Sequence, residues 1–313
     1  MANLKFITPF LDELGHCLSI GQAPSQGLVY ALDSDIVIKL PFQYIIPDDL
    51  DDDAIFYINH GVRSFVAMER ELARYDAAAN RRHPNIARRL KVDSSDCLFL
   101  ERLQPLEQTW VNADEKICHR WVRELLDGIC WLEELGFTQG DMAVRNLAVD
   151  SSNHLKLFDF GSATTQHHYD YAADVKRDHF GLATCLHYIL TGVDPFANVY
   201  SVQEVRQIET QLLEGCGTVG AGAEILTNVI QAGWTGQAAL TKFSKVKEHV
   251  EVIIGVAGLE TASKTSEEHY QRLESRCAEW LKRATLDQRW MDPDDYCAAC
   301  RAKGYETEMD IWR

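Results

Sequence analysis

The sequence predicts an α+β fold in which a mostly β first third precedes a mostly helical remainder. Two short β-type runs, Leu28–Leu32 and Ile36–Leu40, flank Asp33-Ser34-Asp35, which has the composition of a hairpin turn. Further along, Lys116–Leu135 carries apolar residues on one helical stripe and is followed by Gly136, a typical helix stop. Short strands with a tight turn, followed by long amphipathic helices, are the pattern on which this fold class rests.

The remaining elements follow from the same periodicities. A helix is predicted before Pro84 because apolar residues recur at helical spacing, at Phe65, Met68, Leu72, Tyr75 and Ala79. A buried strand is expected at Cys97–Leu100. Later segments predict a second pair of short strands and a helix that is buried nearly all round, at Leu147–Val149, Leu155–Phe158 and Phe180–Leu190.

The natural boundary between the two parts lies near Leu103–Pro105. We therefore expect a small β-rich lobe over residues 1–103 and a larger helical lobe over 104–313. An acidic insertion is expected near 47–60, with Asp48–Asp53 as a solvated loop, and a helical extension is possible from about residue 265.

Charge and composition restrict the classes of partner. The 313 residues carry a formal net charge of −16, with 46% hydrophobic and 25% charged residues. A surface this negative repels nucleic acid and anionic membranes, so neither is an expected partner. One nucleotide is still compatible, because a local Lys and a metal ion can reverse the field inside a cleft. With no long apolar run in the sequence, an intracellular protein, cytoplasmic or nuclear, is expected.

Nine cysteines are scattered along the chain. Most lie in segments predicted to be helical, so free thiols in a reducing compartment are the simplest interpretation. Cys297 and Cys300 form a CxxC pair, but no second ligand pair stands at a matching spacing for zinc.

Three polar residues suggest the chemistry. Asp141 and Asn146 precede a short predicted hairpin, and Asp159 follows it in the run Asp159-Phe160-Gly161. Phosphoryl transfer requires metal ions that neutralise the triphosphate and a carboxylate that orients the attacking hydroxyl. Asn146 and Asp159 would supply oxygen ligands to Mg²⁺, and Asp141 would accept the hydroxyl proton. The alternative is that all three are ordinary polar turn residues.

At this spacing the chain resembles the eukaryotic protein kinases, over roughly residues 20–196. The family's catalytic loop, HRDLxxxN, corresponds to Gln139-Gly140-Asp141 followed by Asn146, and its DFG motif to Asp159-Phe160-Gly161. Ala143 and Arg145 match the tyrosine-kinase variant of this loop. The resemblance implies that Arg145 contacts the γ-phosphate, and it leaves Ser/Thr or Tyr specificity open.

The resemblance also implies an ATP site in the first lobe. Val37-Ile38-Lys39-Leu40 is similar to the strand whose Lys holds the α- and β-phosphates, and Glu71 is the expected ion-pair partner of Lys39, with Glu69 as the second choice. Gly21, Gly27 and Val29 resemble the glycine-rich loop over the phosphates, although its middle Gly is missing.

The run Leu98–Leu103 resembles the strand that leads into the kinase hinge. Leu100 would be the gatekeeper, and the backbone groups of Glu101 and Leu103 would face adenine. The alternative is a core strand followed by a linker.

Two departures from the family pattern bear on control and substrate. Gly140 replaces the Arg that pairs with a phosphorylated activation loop, so control by such a phosphate is not expected. Only Ser162–Arg177 separates Gly161 from Asp178, which would brace the catalytic loop backbone. The APE motif is absent, with Tyr171-Ala172-Ala173-Asp174 at best a remnant, so docking of a peptide substrate is in doubt.

Three functions remain open at this point. The first is an ATP- and Mg²⁺-dependent protein kinase, resembling a Ser/Thr kinase, of the divergent kind common in filamentous fungi. The second is a small-molecule kinase of the aminoglycoside-phosphotransferase type, which shares the GD….N loop. The third is a pseudokinase that acts as a binding or scaffold module.

Overall fold

The computed structural model describes residues 5–10, 18–20, 26–48, 52–94, 96–199, 201–255 and 266–309. The described strands form three antiparallel sheets, ordered β1-β5, β2-β3-β4-β6 and β7-β8-β9. Their bounds are β1 Phe6–Ile7, β2 Leu18–Ile20, β3 Leu28–Ala31, β4 Ile36–Leu40, β5 Gln43–Tyr44, β6 Leu98–Glu101, β7 Gln104–Pro105, β8 Leu147–Val149 and β9 Leu155–Leu157.

The α-helices of the described residues account for most of the remaining regular structure. They are α1 Asp52–Ala77, α2 Leu106–Trp110, α3 Glu115–Glu134, α4 Tyr171–Thr191, α5 Val202–Leu213, α6 Thr227–Trp234, α7 Phe243–Ile254, α8 Glu267–Arg283 and α9 Pro293–Ala302. Each described helix is too short or too polar to cross a membrane. The fold is therefore mixed, with small sheets and a large helical content, as the α+β prediction requires.

Contacts divide the chain into two compact units. The first unit combines residues 1–77, 88–102 and 265–313, and the second combines 78–87 and 103–264. This division differs from the predicted one, because the residues after 265 were expected with the helical part or as an extension of it. Their packing explains the difference.

In the first unit, α8 covers the sheet that contains β4. Leu273 and Cys277 of α8 join a buried cluster with Ile36, Ile38 and Phe99. The same helix is tied to the β3–β4 turn by Arg276, which forms ion pairs with Asp33 and Asp35. The sheet face thus obtains its apolar cover from residues more than 170 positions later in the chain.

The other C-terminal helix, α9, packs on α1. Tyr296 and Cys300 of α9 share a buried cluster with Ile58 and Phe65 of α1. The Tyr296 hydroxyl, almost fully buried, donates a hydrogen bond to the backbone carbonyl of Tyr44 at 2.8 Å. Helix α9 therefore supports the buried face of α1. The periodicity of the sequence did not indicate what α9 would pack against.

The loop formed by the acidic segment is shorter than predicted. The helix α1 begins at Asp52, so residues 52–60 of the expected insertion are its first turns. Ala54 and Ile58 are buried and continue the apolar stripe that runs on to Phe65. Acidic residues suit a helix N-terminus, where they complement the helix dipole, and here that preference outweighs their tendency to occupy loops. Residues 49–51 lie outside the described part of the chain.

In the second unit, α3 lies against the β8–β9 hairpin. Asp114 caps α3 by accepting the Ile117 backbone N–H at 2.8 Å. The buried Glu124 of α3 contacts His154 at 2.5 Å and accepts the Leu155 N–H at 2.7 Å. These bonds fix the hairpin whose two ends carry the candidate catalytic loops.

Helix α4 begins nine residues before the predicted Phe180. Its first turn contains Tyr171-Ala172-Ala173-Asp174, the segment interpreted as a remnant of APE. Residues 162–170 are therefore all that separates Gly161 from a helix. The interpretation of Tyr171–Asp174 as a remnant of APE stays a prediction. The end of α4 is as predicted, with Gly192 in the left-handed region at φ 73°.

The cysteines in the described residues are free thiols. Cys297 and Cys300 are buried in α9, and burial raises the pKa of the Cys300 thiol to about 12. A protonated buried thiol is a poor metal ligand and nucleophile, so this pair serves packing.

We predict that Tyr296→Phe lowers the free energy of unfolding by about 1–3 kcal/mol, because the buried Tyr44 carbonyl loses its hydrogen-bond donor while the ring volume stays the same. Urea denaturation followed by fluorescence measures the change. Tyr169→Phe is the matched control, since Tyr169 is 82% exposed and should change stability by less than about 0.5 kcal/mol. Equal values for the two variants would contradict the proposed docking of α9.

Candidate functional site

The first unit contains a buried ion pair. Lys39 of β4 lies 2.6 Å from Glu71 of α1, measured from Nζ to Oε2, and their side chains are 6% and 0% exposed. A buried charge is tolerated only when it is paired and hydrogen-bonded, so each side chain requires the other. Of the two acidic residues considered from the sequence, the first choice, Glu71, is the one that makes this pair.

Helix α1 is attached to the sheet just beyond Lys39. The Ser64 hydroxyl donates to the Phe42 carbonyl at 2.7 Å and accepts the Phe42 N–H at 3.0 Å. At Gly61 an added Cβ would lie 3.3 Å from Gln43 Cα, so the small residue permits close approach. Helix α1, which carries Glu71, is thus attached at Phe42. Phe42 lies only three residues after Lys39, the residue that Glu71 contacts.

The predicted phosphate-loop residues are only partly described. Gly27 lies against Lys39, since a Cβ there would be 3.3 Å from Lys39 Cε and 3.0 Å from the Leu40 carbonyl oxygen. Val29 of β3 pairs directly with Lys39 across the sheet. Gly21 lies outside the described residues. The structure thus places Gly27 and Val29 next to Lys39, and their role in nucleotide binding stays a prediction.

Glu101 has a structural role that the sequence did not indicate. It ends β6, and its carboxylate accepts the Arg88 N–H at 2.7 Å and the Tyr270 hydroxyl at 3.0 Å. Leu100, the predicted gatekeeper, is buried, and Leu103 is half-buried just after the strand. The predicted contacts of the Glu101 and Leu103 backbones with adenine remain untested.

The second unit gathers the predicted catalytic loop. Arg145 Nη2 contacts both Asp141 carboxylate oxygens, at 2.5 and 2.7 Å. Asn146 donates from Nδ2 to the Asp141 carbonyl at 2.8 Å and to Oδ2 at 3.1 Å. The short 3₁₀ turn Val144–Asn146 brings both partners back toward Asp141. The carboxylate is therefore oriented by two neighbours while remaining about one-third exposed.

A buried carboxylate anchors this loop. Asp178 is fully buried in α4 and accepts the backbone N–H groups of Gln139 and Gly140, at 2.7 and 2.9 Å. Burial raises the pKa of Asp178 to about 7, although the two N–H donors oppose the shift. The geometry is that of the expected brace for the loop backbone.

Gln139 joins the two loops, a role that sequence analysis missed. Its Oε1 accepts the Asp141 N–H at 2.5 Å, and its Nε2 donates to the Asp159 carbonyl at 3.0 Å. Asp159 has a left-handed backbone at φ 61°, which is uncommon for a residue with a side chain and needs support of this kind. The sequence did contain a signal for this role. Gln139 stands immediately before Gly140-Asp141, and its side-chain amide can donate one hydrogen bond and accept another.

The structure gives a steric reason for Gly140. Its φ is 79°, and an added Cβ would stand 2.1 Å from the Ser162 carbonyl oxygen. Gly181 of α4 is equally close to the loop, with its Cβ position 2.0 Å from the Met142 carbonyl oxygen. The loop after Gly161 therefore passes where a side chain at residue 140 would lie.

The short segment after Gly161 is itself held in place. Thr138 donates its N–H to the Thr164 carbonyl at 3.0 Å, and Thr164 donates its N–H to the Thr138 hydroxyl at 2.9 Å. The Thr164 hydroxyl also donates to the buried Asp174 of α4 at 2.8 Å. The start of this segment is thus held by its own unit, whereas Thr165, Gln166, His167 and Tyr169 are exposed.

The donor set is compatible with Mg²⁺. Asn146 uses its amide nitrogen toward Asp141, which leaves its carbonyl oxygen as the potential ligand, and Asp159 adds a carboxylate. In the described part of the chain, no group of three or more His, Cys, Asp or Glu side chains is arranged to hold a metal. Mg²⁺ is commonly bound by one or two protein oxygens together with substrate phosphates, so two ligands suffice.

Comparison with known proteins gives short matches to protein kinases. The human eIF-2-alpha kinase GCN2 is 41% identical over 59 residues, which cover 19% of this chain and 4% of that protein. The mouse GCN2 is 39% identical over the same length, and the insulin-like receptor of Caenorhabditis elegans is 36% identical over 53 residues, 17% of this chain and 3% of the receptor. No family model matches. This chain is thus similar to protein kinases over short segments, and the likeness to fungal kinase-like proteins stays a prediction.

We predict that Gly140→Ala is far more destabilising than Gly236→Ala. Both glycines have φ near 76–79°, but nothing lies within 4 Å of a Cβ at Gly236. The Gly236 variant should cost about 1–2 kcal/mol for the left-handed backbone alone. Gly140→Ala should cost about 1–3 kcal/mol more because of the contact with Ser162. Denaturant unfolding measures both, and similar costs would contradict the close approach.

We also predict that Asp178→Asn lowers stability by about 1–3 kcal/mol, because an amide N–H would face one of the two backbone donors. The cost should depend on pH. The folded protein keeps the Asp178 proton between the ordinary pKa of 3.8 and about 7, so the unfolding free energy of the wild type falls as pH rises through that window.

The cost of Asp178→Asn should therefore shrink as the pH is raised from about 5 to about 7 and then level off. Unfolding free energies measured in parallel for the two proteins give this difference. Asp93→Asn, at an exposed loop position, is the control and should show no such trend. A cost that is the same at every pH would show that Asp178 titrates normally.

Proposed function

We propose that the chain is an ATP- and Mg²⁺-dependent phosphotransferase, resembling a protein kinase, that moves the γ-phosphate of ATP to a hydroxyl. The observation that carries this proposal is the bridge made by Gln139, which ties the loop of Asp141 to the loop of Asp159. Scattered polar turn residues would have no reason to be held together in this way. The short matches to protein kinases support the same conclusion.

In this proposal Asp141 accepts the proton of the attacking hydroxyl. The hydroxyl oxygen forms a bond to the γ-phosphorus, the bond from that phosphorus to the β–γ bridging oxygen breaks, and ADP leaves with the electron pair. Asn146 orients the Asp141 carboxylate through its amide nitrogen. Arg145 is mostly exposed, so it can exchange its contact with Asp141 for one with the transferred phosphate.

Lys39 would bind the α- and β-phosphates, with Glu71 holding its amine in position. Gly21, Gly27 and Val29 would cover the phosphates, and the Glu101 and Leu103 backbones would bind adenine. Mg²⁺, when bound, would neutralise charge on the triphosphate. Asn146 and Asp159 are the residues that would hold it.

The proposal extends to the fold and its setting. We assign the first unit to the β-rich lobe of a two-lobed kinase-like fold and the second unit to the helical lobe, with residues 265–313 as an addition to the β-rich lobe. Free buried thiols and a need for ATP both suit an intracellular location, cytoplasmic or nuclear.

The acceptor is a serine or threonine hydroxyl in the leading version of the proposal. A specific observation favours a small-molecule hydroxyl as the second candidate. Only residues 162–170 separate Gly161 from α4, and Thr164 within them is bonded to Thr138 and Asp174. A segment this short, with its start already bonded within the second unit, offers a small surface for docking a peptide.

We predict that wild-type protein transfers labelled phosphate from ATP in the presence of Mg²⁺, tested with generic protein substrates and with a panel of small hydroxyl compounds. Asp141→Asn should lower the rate by about 10²–10⁴-fold, since general-base catalysis contributes that much. Binding of ATP should survive in this variant, because Asp141 is not assigned to the nucleotide. Asp93→Asn is the control and should transfer at the wild-type rate.

Thermal shift separates the remaining outcomes. ATP with Mg²⁺ should stabilise the wild type and Asp141→Asn, but not Lys39→Met or Asp159→Asn, because ligand binding to the folded state raises its stability. Binding without transfer to any acceptor, with Asp141→Asn indistinguishable from wild type, would favour a pseudokinase. Absence of any ATP-dependent shift would overturn the nucleotide site itself.

A further inference from the structure

A cavity of about 390 Å³ lies within the second unit, apart from the loops of Asp141 and Asp159. It is formed by α4, α6, α7 and the 3₁₀ turn Gln237–Leu240. Its apolar part is supplied by Leu182, Leu186, Val229 and Val246. Small-molecule sites in proteins are typically concave, mostly apolar and of about 300–1,000 Å³, so the cavity has a suitable size.

One buried polar group on the cavity wall is unsatisfied. His179 lines the cavity and is only 2% exposed, and its Nε2 has no hydrogen-bond partner in the described part of the chain. Its ring stacks on Phe243, with centroids 4.1 Å apart and planes 21° from parallel, which fixes the ring orientation. An unsatisfied buried polar atom costs about 1–3 kcal/mol, so a native protein normally supplies a partner for it.

The chemistry of His179 defines which partner fits. Burial lowers the pKa of His179, and the Thr241 backbone opposes this shift. A neutral imidazole has one donor nitrogen and one acceptor nitrogen. A hydroxyl can both donate and accept, so it satisfies Nε2 in either tautomer. The matching ligand group is therefore a hydroxyl.

The rim of the cavity favours an anion. Lys245 and His249 stand one turn apart on α7 and both line it, whereas none of the described lining residues is Asp or Glu. This is unusual in a chain with a net charge of −16. Lys245 also pairs with Glu248 at 2.7 Å, but both side chains are more than 60% exposed, and such a surface pair is worth only about 0–1 kcal/mol.

The spacing of the helices around the cavity is fixed by close packing. At Gly233 of α6, an added Cβ would lie 2.6 Å from Ala183 Cβ and 2.9 Å from the His179 carbonyl oxygen. At this point the backbone of α6 therefore packs directly against α4. The cavity beside this contact is lined by the small residues Ala232 and Ala238, which leave it open.

We propose that this cavity binds a small apolar carboxylic acid that carries a hydroxyl group. The hydroxyl forms a hydrogen bond with His179 Nε2, the apolar body lies against Leu182 and Val229, and the carboxylate lies near Lys245 and His249. The site does not depend on phosphoryl transfer, and its test needs no nucleotide.

Three probes that differ in one group each test the proposal: 4-hydroxyphenylacetate, phenylacetate and 4-hydroxyphenylacetamide. Calorimetric titration of the full chain should show the tightest binding for the first. Removal of the hydroxyl or of the charge should weaken binding about fivefold to tenfold, as expected for the loss of one hydrogen bond or one partly exposed ion pair.

Variants of the lining residues assign the binding to the cavity. Ala232→Phe should abolish binding by filling the space, and Lys245→Gln should remove the preference for the acid over the amide. His179→Phe should bind 4-hydroxyphenylacetate and phenylacetate equally. Lys242→Gln is the control, because Lys242 is an exposed residue at the start of α7 that does not line the cavity, and it should bind as wild type.

If His179→Phe does not fold, the Lys245→Gln and Ala232→Phe comparisons still decide. The proposal is overturned if none of the three probes binds at concentrations up to about 10 mM, weaker than any specific site of this size would be. It is equally overturned if Ala232→Phe binds 4-hydroxyphenylacetate as tightly as wild type does.

Discussion

The carboxylate of Asp178 holds the candidate catalytic loop against α4, and the close packing of that loop depends on this contact. A fully buried carboxylate is costly unless donors reach it, and the donors are the backbone N–H groups of Gln139 and Gly140. Helix α4 and the loop therefore gain stability only together. Gly140 and Gly181 permit the close approach, because a side chain at either position would meet backbone atoms.

The first unit depends on a similar constraint. Lys39 and Glu71 are both buried, so the strand and the helix that carry them must be held in register. Ser64 does this locally through two bonds to Phe42, and α9 supports the same helix through the cluster around Phe65. The two units thus present the residues of the proposed reaction by the same means, since each contains a buried charged group that specific partners satisfy.

Local patterns predicted much of the fold. The strand Ile36–Leu40 and the helix near Lys116–Leu135 were placed within one residue, because alternation and helical periodicity report directly on backbone geometry. The pairing of Lys39 with a glutamate of α1 was implied by the family resemblance, and Glu71 was preferred to Glu69 because it lies beside Leu72, four residues before Tyr75. The residues Asp141, Asn146 and Asp159 were recognised by type and order, and the structure brings Asp141 and Asn146 into contact.

The features that the sequence did not predict are contacts between residues far apart in the chain. The amphipathic pattern of α8 and α9 shows which face is buried but not what covers it, so their packing on the first unit was not foreseen. The early start of α4 was missed because Tyr171-Ala172-Ala173-Asp174 has no apolar periodicity. Gln139 was overlooked since a polar residue before a turn usually faces solvent, and the steric need for Gly140 depends on Ser162, which only the folded chain brings near.

The sequence order of the first unit has a consequence for synthesis on the ribosome. Its apolar clusters require Leu273, Cys277, Tyr296 and Cys300, although its strands and α1 are made first. The sheet around Lys39 must therefore remain incompletely covered while all of residues 103–264, which belong to the other unit, are translated. The half of the protein that leaves the ribosome first is the last to complete its core, and during that interval it is the half that most needs protection from aggregation.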